Sequence, residues 1–546
     1  MFDLFYVIAF FWFIRTSKYV FFWLYLWQLK EYHIGRFLDH FKTQKGQKLI
    51  LNPLQNFKLL LAVLFILDNV VFVWALFLVY FIESFLFFKA VFNKKILKPK
   101  PTKKTVILIL FSFLIVVLFP ITLYVFGQNI IQFSLYLLAF DMLIPFIVTA
   151  VVFLFQPLVI LLRNNIIRKA KNKIRNLKLI TGGPIVVGIT GSYGKTSTKE
   201  FLSTILSYRF KVLKTKEHQN SEIGISECIL NNLNKDHEVF VVEMGSYNKG
   251  GIKLLSDIVK PKIGIVTGVN EQHLALFGSL DNLLSAEGGR ELADALPKDG
   301  LLVLNGDNKY CLDLYKKVIL LQAQDRLNVK IYTLLKDKIN SDIWPDEITI
   351  KKDSVSFVVL TKEKEMASFD VDVFGKQNIQ NILADILVAR HLGMSFDEII
   401  KASRNIKIEQ SGILLKEGKH GVSIIDSSYS SNPNGVVADL EYLSIFLKKK
   451  VIIMPCLIEL GEKSAVIHEK MGKEIGKICD LAIITTKEMF KEIKKGAVEA
   501  GMKEKNIVFC EKPEEILTRI SIFCTSGDAV LLEGRVPEKL ISKLIL

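Results

Sequence analysis

Four long apolar runs crowd the first third of this chain and dictate how that part can fold. They cover residues 1–27, 57–88, 106–126 and 130–162. About 20 apolar residues let a helix cross a bilayer, and lipid tolerates no unpaired backbone N–H or C=O, so such runs must become helices. The first is interrupted by Arg15 and Lys18. It is too long for a signal peptide, and no small-residue cleavage site follows it. Two runs exceed one span and fall short of a comfortable hairpin. Asp68-Asn69 in one, and Asp141 with Pro145 and Pro157 in the other, mark candidate breaks. Four or five spans are expected. Composition agrees: 50% of residues are hydrophobic and 23% charged, which is compatible only if the apolar residues are segregated.

The formal net charge is 71 − 55 = +16. A nucleic-acid binder is one reading of such an excess, but its placement favours a membrane protein with cytoplasmic Lys and Arg. Lys30, Arg36, Lys42, Lys45 and Lys48 follow the first run, and Lys94, Lys95, Lys98, Lys100, Lys103 and Lys104 precede the third. Residues 163–173 read Arg-Asn-Asn-Ile-Ile-Arg-Lys-Ala-Lys-Asn-Lys, whereas the link at Gly127-Gln128 is uncharged. The positive-inside rule places the three basic stretches in the cytoplasm and the link outside. Residues 57–88 must then enter and return. Asp68, Glu83 and Asp141 lie at membrane depth or its edge, where an acid serves either function or helix–helix contact. Six cysteines include no CxxC pair, so they read as reduced, packed thiols rather than zinc or disulfide frameworks.

After Arg175 short apolar runs alternate with amphipathic ones, the pattern of an α/β fold with a parallel sheet. A strand over residues 185–189 runs into Thr-Gly-Ser-Tyr-Gly-Lys-Thr-Ser-Thr at 190–198, and a helix follows with Phe201, Leu202, Ile205 and Leu206 on one face. That order makes a phosphate-binding loop. Gly191 and Gly194 let successive amides turn toward phosphate oxygens, Lys195 reaches the β and γ phosphates, and the Thr196 hydroxyl suits Mg²⁺. Ser192, Tyr193 and Ser197 complete the candidate ATP cradle.

The G-x-x-G-K-T-x-T phrase resembles the Mur ligases, ATP-dependent amide-forming enzymes of cell-wall synthesis. Val-Val-Glu-Met-Gly at 241–245 is similar to the family's second strand and its acidic Mg²⁺ ligand, here Glu243. Thr-Gly-Val-Asn-Glu-Gln-His-Leu at 267–274, then Phe277-Gly278-Ser279, resembles the histidine segment around His273. Asn305-Gly306-Asp307 is similar to the family's N-x-D turn, and residues 375–381 match G-x-H-N-x-x-N with Gln377 replacing histidine. Residues 425–433, Ile-Asp-Ser-Ser-Tyr-Ser-Ser-Asn-Pro, resemble D-D-x-Y-N-A-N-P, and Glu533-Gly534-Arg535 the closing K-G-S-R. With Glu459-Leu460-Gly461 and His468, this phrasing is most like the branch that adds D-alanyl-D-alanine to a muramoyl peptide. The resemblance covers about residues 180–546 and none of the apolar part.

The apolar runs make residues 1–170 a multi-span domain, and the resemblance implies a central P-loop α/β domain (176–407) and a C-terminal Rossmann-like α/β domain (408–546). It implies transfer of the ATP γ-phosphoryl group to a carboxylate and attack of an amine on the acyl phosphate. Lys195, Glu243, His273 and Glu287 would be catalytic, Glu287 standing where many members carry a carbamylated lysine. Thr196, Glu243 and His273 would hold Mg²⁺. Asn378 and Asn381 would face the nucleotide base, with helix capping the bland alternative, and Asp426 would meet the ribose or triphosphate. His218, Asn220 and Ser221 sit where the family reads its substrate, and His468 reads as a surface helix residue. Gly412-Ile413, Ser427 and Glu533 depart from the family's Gly-Arg, second aspartate and lysine, so the amine site is altered more than the nucleotide site. The apolar segment occupies the place of the family's UDP-sugar-gripping domain. A lipid-linked or membrane-proximal cell-wall precursor is therefore the expected donor, an amino acid or dipeptide the acceptor and membrane lipid a further partner, with no nucleic acid. The competing readings are another amide ligase on this scaffold, such as a poly-amino-acid synthetase, an ATP-driven transporter with a Mur-like motor, and a nucleotide-binding scaffold.

Overall fold

A computed structural model describes the chain except residues 1, 31, 33, 42–43, 51–52, 94–95, 217–218, 322–326, 336–340, 429–431 and 546. Lys42, Lys94, Lys95, His218, Tyr429, Ser430 and Ser431 thus lie outside the described residues. Two compact units divide the chain, Met1–Asn164 and Asn165–Leu546.

In the first unit and its outgoing helix, four stretches are long and apolar enough to cross a bilayer: Leu4–Leu29, Asn69–Phe92, Lys103–Val125 and Ile130–Thr181. The helix Pro53–Leu67 has 15 residues. At 1.5 Å per residue it reaches about 22 Å, short of a hydrocarbon core of about 30 Å. Residues 57–88 do break at Asp68, whose carboxylate caps the next helix by accepting from the Val70 and Val71 amides at 2.9 and 3.0 Å. The chain doubles back there. Lys58 Nζ lies 2.8 Å from Glu83, whereas 25 residues of straight helix would separate them by about 37 Å. Pro145 makes no break and sits inside Ile130–Leu154. That helix ends at Leu154, and Gln156–Thr181 starts two residues later with Pro157 in its first turn, where a missing N–H costs nothing.

Glu83 and Asp141 are not isolated acids. Arg15 meets Glu83 at 3.0 Å and Asp141 at 2.9 Å, and Lys58 meets the same two at 2.8 and 2.6 Å. Four helices thus close a ring of alternating charge, with Lys58 and Asp141 fully buried. The arrangement satisfies each charge from both sides, which is what tolerates ions in an apolar interior. In the structure both acids serve helix–helix contact.

The second unit holds two sheets. The first comprises β1 (Ile185–Thr190), β2 (Val212–Lys214), β3 (Val239–Glu243), β4 (Ile263–Val266), β5 (Leu301–Asn305), β6 (Asn328–Tyr332), β7 (Ile343–Ile350), β8 (Val355–Thr361) and β9 (Met366–Val371). Their order is β2-β3-β1-β4-β5-β6-β7-β8-β9. β1 through β5 are parallel; β1, β3, β4 and β5 are almost wholly buried, as strands covered on both faces must be, and the edge strand β2 is half-buried. β7, β8 and β9 pair antiparallel. The second sheet comprises β10 (Leu414–Glu417), β11 (Ser423–Ser427), β12 (Lys450–Met454), β13 (Leu481–Ile484), β14 (Ile507–Phe509) and β15 (Ala529–Glu533), ordered β10-β11-β15-β12-β13-β14. Only β10 runs antiparallel. In such sheets the crevice beyond the carboxyl ends of the strands binds ligands. Glu243, Ser427 and Glu533 stand at those ends. Ile167, Ala170 and Ile174 of the helix Gln156–Thr181, spaced three and four apart, complete the core over one face of the first sheet with Ile225, Cys228 and Ile229. All six cysteines are buried and free.

Candidate active site

The loop after β1 is shaped by two left-handed glycines. Gly191 has φ 138° and Gly194 φ 77°. A Cβ would fall 2.3 Å from Thr267 Oγ1 at the first and 2.8 Å from Asn381 Oδ1 at the second, so no side chain fits either place. The helix Lys195–Leu206 starts directly from Gly194, aiming its unpaired N-terminal amides at the crevice. One loop amide is already committed, since Ser192 N–H donates to the Gly268 carbonyl at 2.7 Å. Lys195 Nζ folds back on the Gly191 carbonyl at 2.5 Å. Tyr193 is held by Thr267 through its carbonyl and by Asn308 through its hydroxyl. Ser197 opens into the cleft.

Glu243, at the end of β3, meets the loop through Thr196, whose hydroxyl donates to Oε2 at 3.1 Å. Asn220 donates to Oε1 at 3.1 Å, and Lys199 Nζ lies 3.3 Å from Oε2. Burial opposes ionisation of Glu243, yet Lys195 and Lys199, with the two hydrogen bonds, hold its carboxyl below the usual range. The Thr196 and Glu243 oxygens are hard donors that suit Mg²⁺ alongside phosphate oxygens and water. Among the described residues no group of three or more His, Cys, Asp or Glu is arranged to hold a metal by itself.

Ser192 ties the loop to the histidine segment. Its hydroxyl donates to Glu287 Oε2 at 2.8 Å, and Glu287 Oε1 meets His273 Nδ1 at 2.8 Å. Glu287 is almost fully buried. Burial pushes its pKa up, but His273, Lys195 and Ser192 outweigh that and keep it ionised below the usual range. The side chain of Ser192 is therefore spent on positioning Glu287. Asn378 and Asn381 are buried neighbours on the helix Gln377–His391, joined at 2.9 Å. Asn381 also accepts from Thr198 at 3.2 Å. Lys376, not Asn378, stands at the helix start, so capping does not explain them.

The two α/β layers meet across a cleft of about 970 Å³, lined by Tyr193, Gly194, Ser197, Asn378 and Asn381 on one side and by Ser427, Asn432 and Asp439 on the other. Asn270 spans it, donating to Asn432 and Asn434 at 3.1 and 2.9 Å. Asp426 is held inside its own domain by Lys416 at 2.7 Å and by Ser428. Ser221 caps the helix Glu222–Asn232. His468 is not a surface residue. It is fully buried, its Nε2 accepting from the Leu457 amide at 2.9 Å and its Nδ1 meeting the Ser464 carbonyl at 2.7 Å. Sequence reasoning missed Lys199, which sits in an amphipathic helix where a lysine reads as solvent-facing, and Asn270, whose partners lie more than 160 residues away.

Fold and site together define an ATP-dependent acid–amino-acid ligase. The profile of the Mur ligase middle domain matches residues 189–389, and that of the Mur ligase glutamate ligase domain matches 414–536. The chain belongs to the Mur ligase family. It is 26% identical over 368 residues to the UDP-N-acetylmuramoyl-tripeptide–D-alanyl-D-alanine ligase of Bacillus subtilis (strain 168), covering 66% of this chain and 76% of that one. The Escherichia coli (strain K12) enzyme of the same name is 27% identical, with 53% of this chain and 61% of that one covered. The MurF ligase from Thermotoga maritima in complex with ADP superposes with TM-score 0.58 at 25% identity, over 70% of this chain and 83% of that chain.

Proposed function

We propose that this chain is a membrane-anchored ligase that uses ATP and Mg²⁺ to add an amino acid or dipeptide to a lipid-linked or membrane-proximal cell-wall precursor, with its α/β domains in the cytoplasm. The observation that carries the reading is the double tether of the phosphate loop, through Thr196 to Glu243 and through Ser192 to the Glu287–His273 pair. Phosphoryl transfer from ATP to a carboxylate brings anions together, so catalysis is mostly positioning and charge neutralisation. Lys195 and the helix amides would hold the β and γ phosphates. Thr196 and Glu243 would hold Mg²⁺, with His273 lending its Nε2 nearby. The bound ion lowers repulsion between the triphosphate and the incoming carboxylate. Asn378 and Asn381 form the wall toward the nucleotide base, and Glu287 fixes the His273 ring.

Purified full-length protein in lipid nanodiscs should form ADP and a new amide from lipid-linked muramoyl tripeptide faster than from the soluble UDP-linked form. Preference for the soluble form would count against the membrane-proximal donor. Mass spectrometry of precursors accumulating on depletion names the acceptor by the residue they lack.

A second reading, another acceptor than D-alanyl-D-alanine, is favoured by the C-terminal domain. Ser427 donates to Asp439 at 2.5 Å, and the fully buried Glu533 carboxyl lies within hydrogen-bonding reach of Asp439. Burial, and Asp439 beside it, push the Glu533 carboxyl up strongly. An acid pair sharing a proton thus stands where the family's lysine is expected.

A further inference from the structure

The loop over residues 457–463 reaches from the second α/β layer to the His273 segment and delivers one carboxylate there. Glu459 takes φ 68°, a left-handed backbone that non-glycine residues seldom adopt. Its carbonyl accepts from the Ala275 amide at 3.3 Å. Four residues on, Lys463 pairs with Glu271 at 3.0 Å, and Glu271 also accepts from the Tyr310 hydroxyl at 2.7 Å. Buried His468 pins the Leu457 amide at the start of the loop. Strain held in place from several sides is a mark of a site whose geometry matters.

What that strain presents is the Glu459 carboxylate. Oε2 lies 3.9 Å from His273 Nε2, too far for a hydrogen bond, and His273 Nδ1 is already engaged by Glu287. Among the described residues no group donates a hydrogen bond to the Glu459 carboxylate, and its side chain keeps 21% of its surface exposed. Of the other acids near this end of the second sheet, Asp426 is taken by Lys416, and Asp439 and Glu533 are buried beside each other. An accessible anion that receives no hydrogen bond among the described residues and stands beside His273, where the ligase reading puts the acyl phosphate, matches one component of the reaction: the acceptor, which arrives as an ammonium ion.

We infer that Glu459 is the carboxylate that seats the ammonium group of the incoming amine and orients its nitrogen toward the acyl carbon, an inference that rests on the ligase reading above. A charge-assisted N–H···O contact is strong and directional, and holding the nitrogen in line converts encounter into a near-unimolecular step. In that step the ammonium loses one proton to solvent, and its nitrogen forms a bond to the acyl carbon. The acyl carbon–oxygen bond to phosphate breaks, and the second proton leaves with phosphate as hydrogenphosphate.

The test compares two nucleophiles on the full-length enzyme in nanodiscs, with ATP, Mg²⁺ and either form of muramoyl tripeptide as donor. Hydroxylamine, uncharged at neutral pH, traps the acyl phosphate as a hydroxamate. A pool of amino acids with D-alanyl-D-alanine gives the amide. Glu459→Gln should lower the amide-to-hydroxamate ratio by about a hundredfold, with a raised KM for the amine. Lys463→Met, which loosens the same loop without touching the carboxylate, should leave that ratio unchanged. An equal fall of both products in Glu459→Gln, the same ratio change in Lys463→Met, or a raised Mg²⁺ requirement for hydroxamate in Glu459→Gln would overturn the inference. So would a wild-type enzyme that makes hydroxamate but no amide. A wild-type enzyme that makes neither product overturns the ligase reading instead.

Discussion

The ammonium of Lys199 lies 3.3 Å from Glu243 Oε2 and has no exposure to solvent. Glu243 therefore leans on a buried cation behind it as well as on Lys195 in the loop, and Lys199 also meets Glu200 at 3.3 Å. Removing one partner of such a pair leaves a buried charge uncompensated, at about 3–5 kcal/mol. Lys199→Met is expected to destabilise the α/β unit by an amount in that range, read by denaturant unfolding. The pH dependence follows. The folded carboxyl of Glu243 lies below its unfolded value, so its contribution is present above the usual carboxylate range and is lost as pH falls through the lowered value. In Lys199→Met that loss should begin at higher pH.

Glu287 offers a direct check on its role beside His273. Glu287→Gln keeps the shape but not the charge that fixes the ring, and should lower turnover about 10- to 100-fold, as loss of an orienting partner does. Glu287→Lys should be inactive until bicarbonate is added, because carbamylation rebuilds a carboxylate-like end. Steady-state turnover with and without bicarbonate reads this.

In the helical unit, Asp141 receives both Arg15 and Lys58. Asp141→Asn would strand a positive charge in the ring. A loss of about 3–5 kcal/mol is expected, seen as a lower melting temperature in detergent. Exchanging all four members for apolar residues of similar size should restore much of it, since a buried ion network is rarely worth more than good packing.

The acid pair of the C-terminal domain predicts an opposite pH trend. Burial pushes Asp439 up to about 6 and pushes Glu533 up strongly. A raised folded value means that the contribution is full below the ordinary carboxylate range of about pH 4 and is lost as pH rises through about 6. Thermal melts should show wild type losing stability from pH 5 to pH 8 and Asp439→Asn losing less.

The phosphate loop was legible because its chemistry is local. Gly191, Gly194, Lys195 and Thr196 are contiguous, and the strand before them and helix after them carry their own periodicity. Glu287 was legible only through the family resemblance, aligned from Phe277-Gly278-Ser279. The charge ring was not legible, because Arg15, Lys58, Glu83 and Asp141 come from four helices and only tertiary packing joins them. Arg15 reads from sequence as a blemish in a span. Pro145 marks a break in sequence terms yet lies inside Ile130–Leu154, because a long apolar helix can carry a proline without ending. His468 was misplaced because its two ring nitrogens serve a loop and a helix turn, a use that no pattern of neighbours reveals. Glu459 lay within a recognisable phrase, yet its backbone conformation and its approach to His273 exist only in three dimensions.

Two positive and two negative side chains in the ring sum to zero. An elementary charge displaced across 100 mV gains or loses about 2.3 kcal/mol, but a neutral quartet moving as one does no electrical work. If the helices shift together in a bilayer, the resting voltage neither drives nor opposes them. The quartet would be electrically silent in a bilayer, and turnover should run at the same rate in energised and collapsed vesicles.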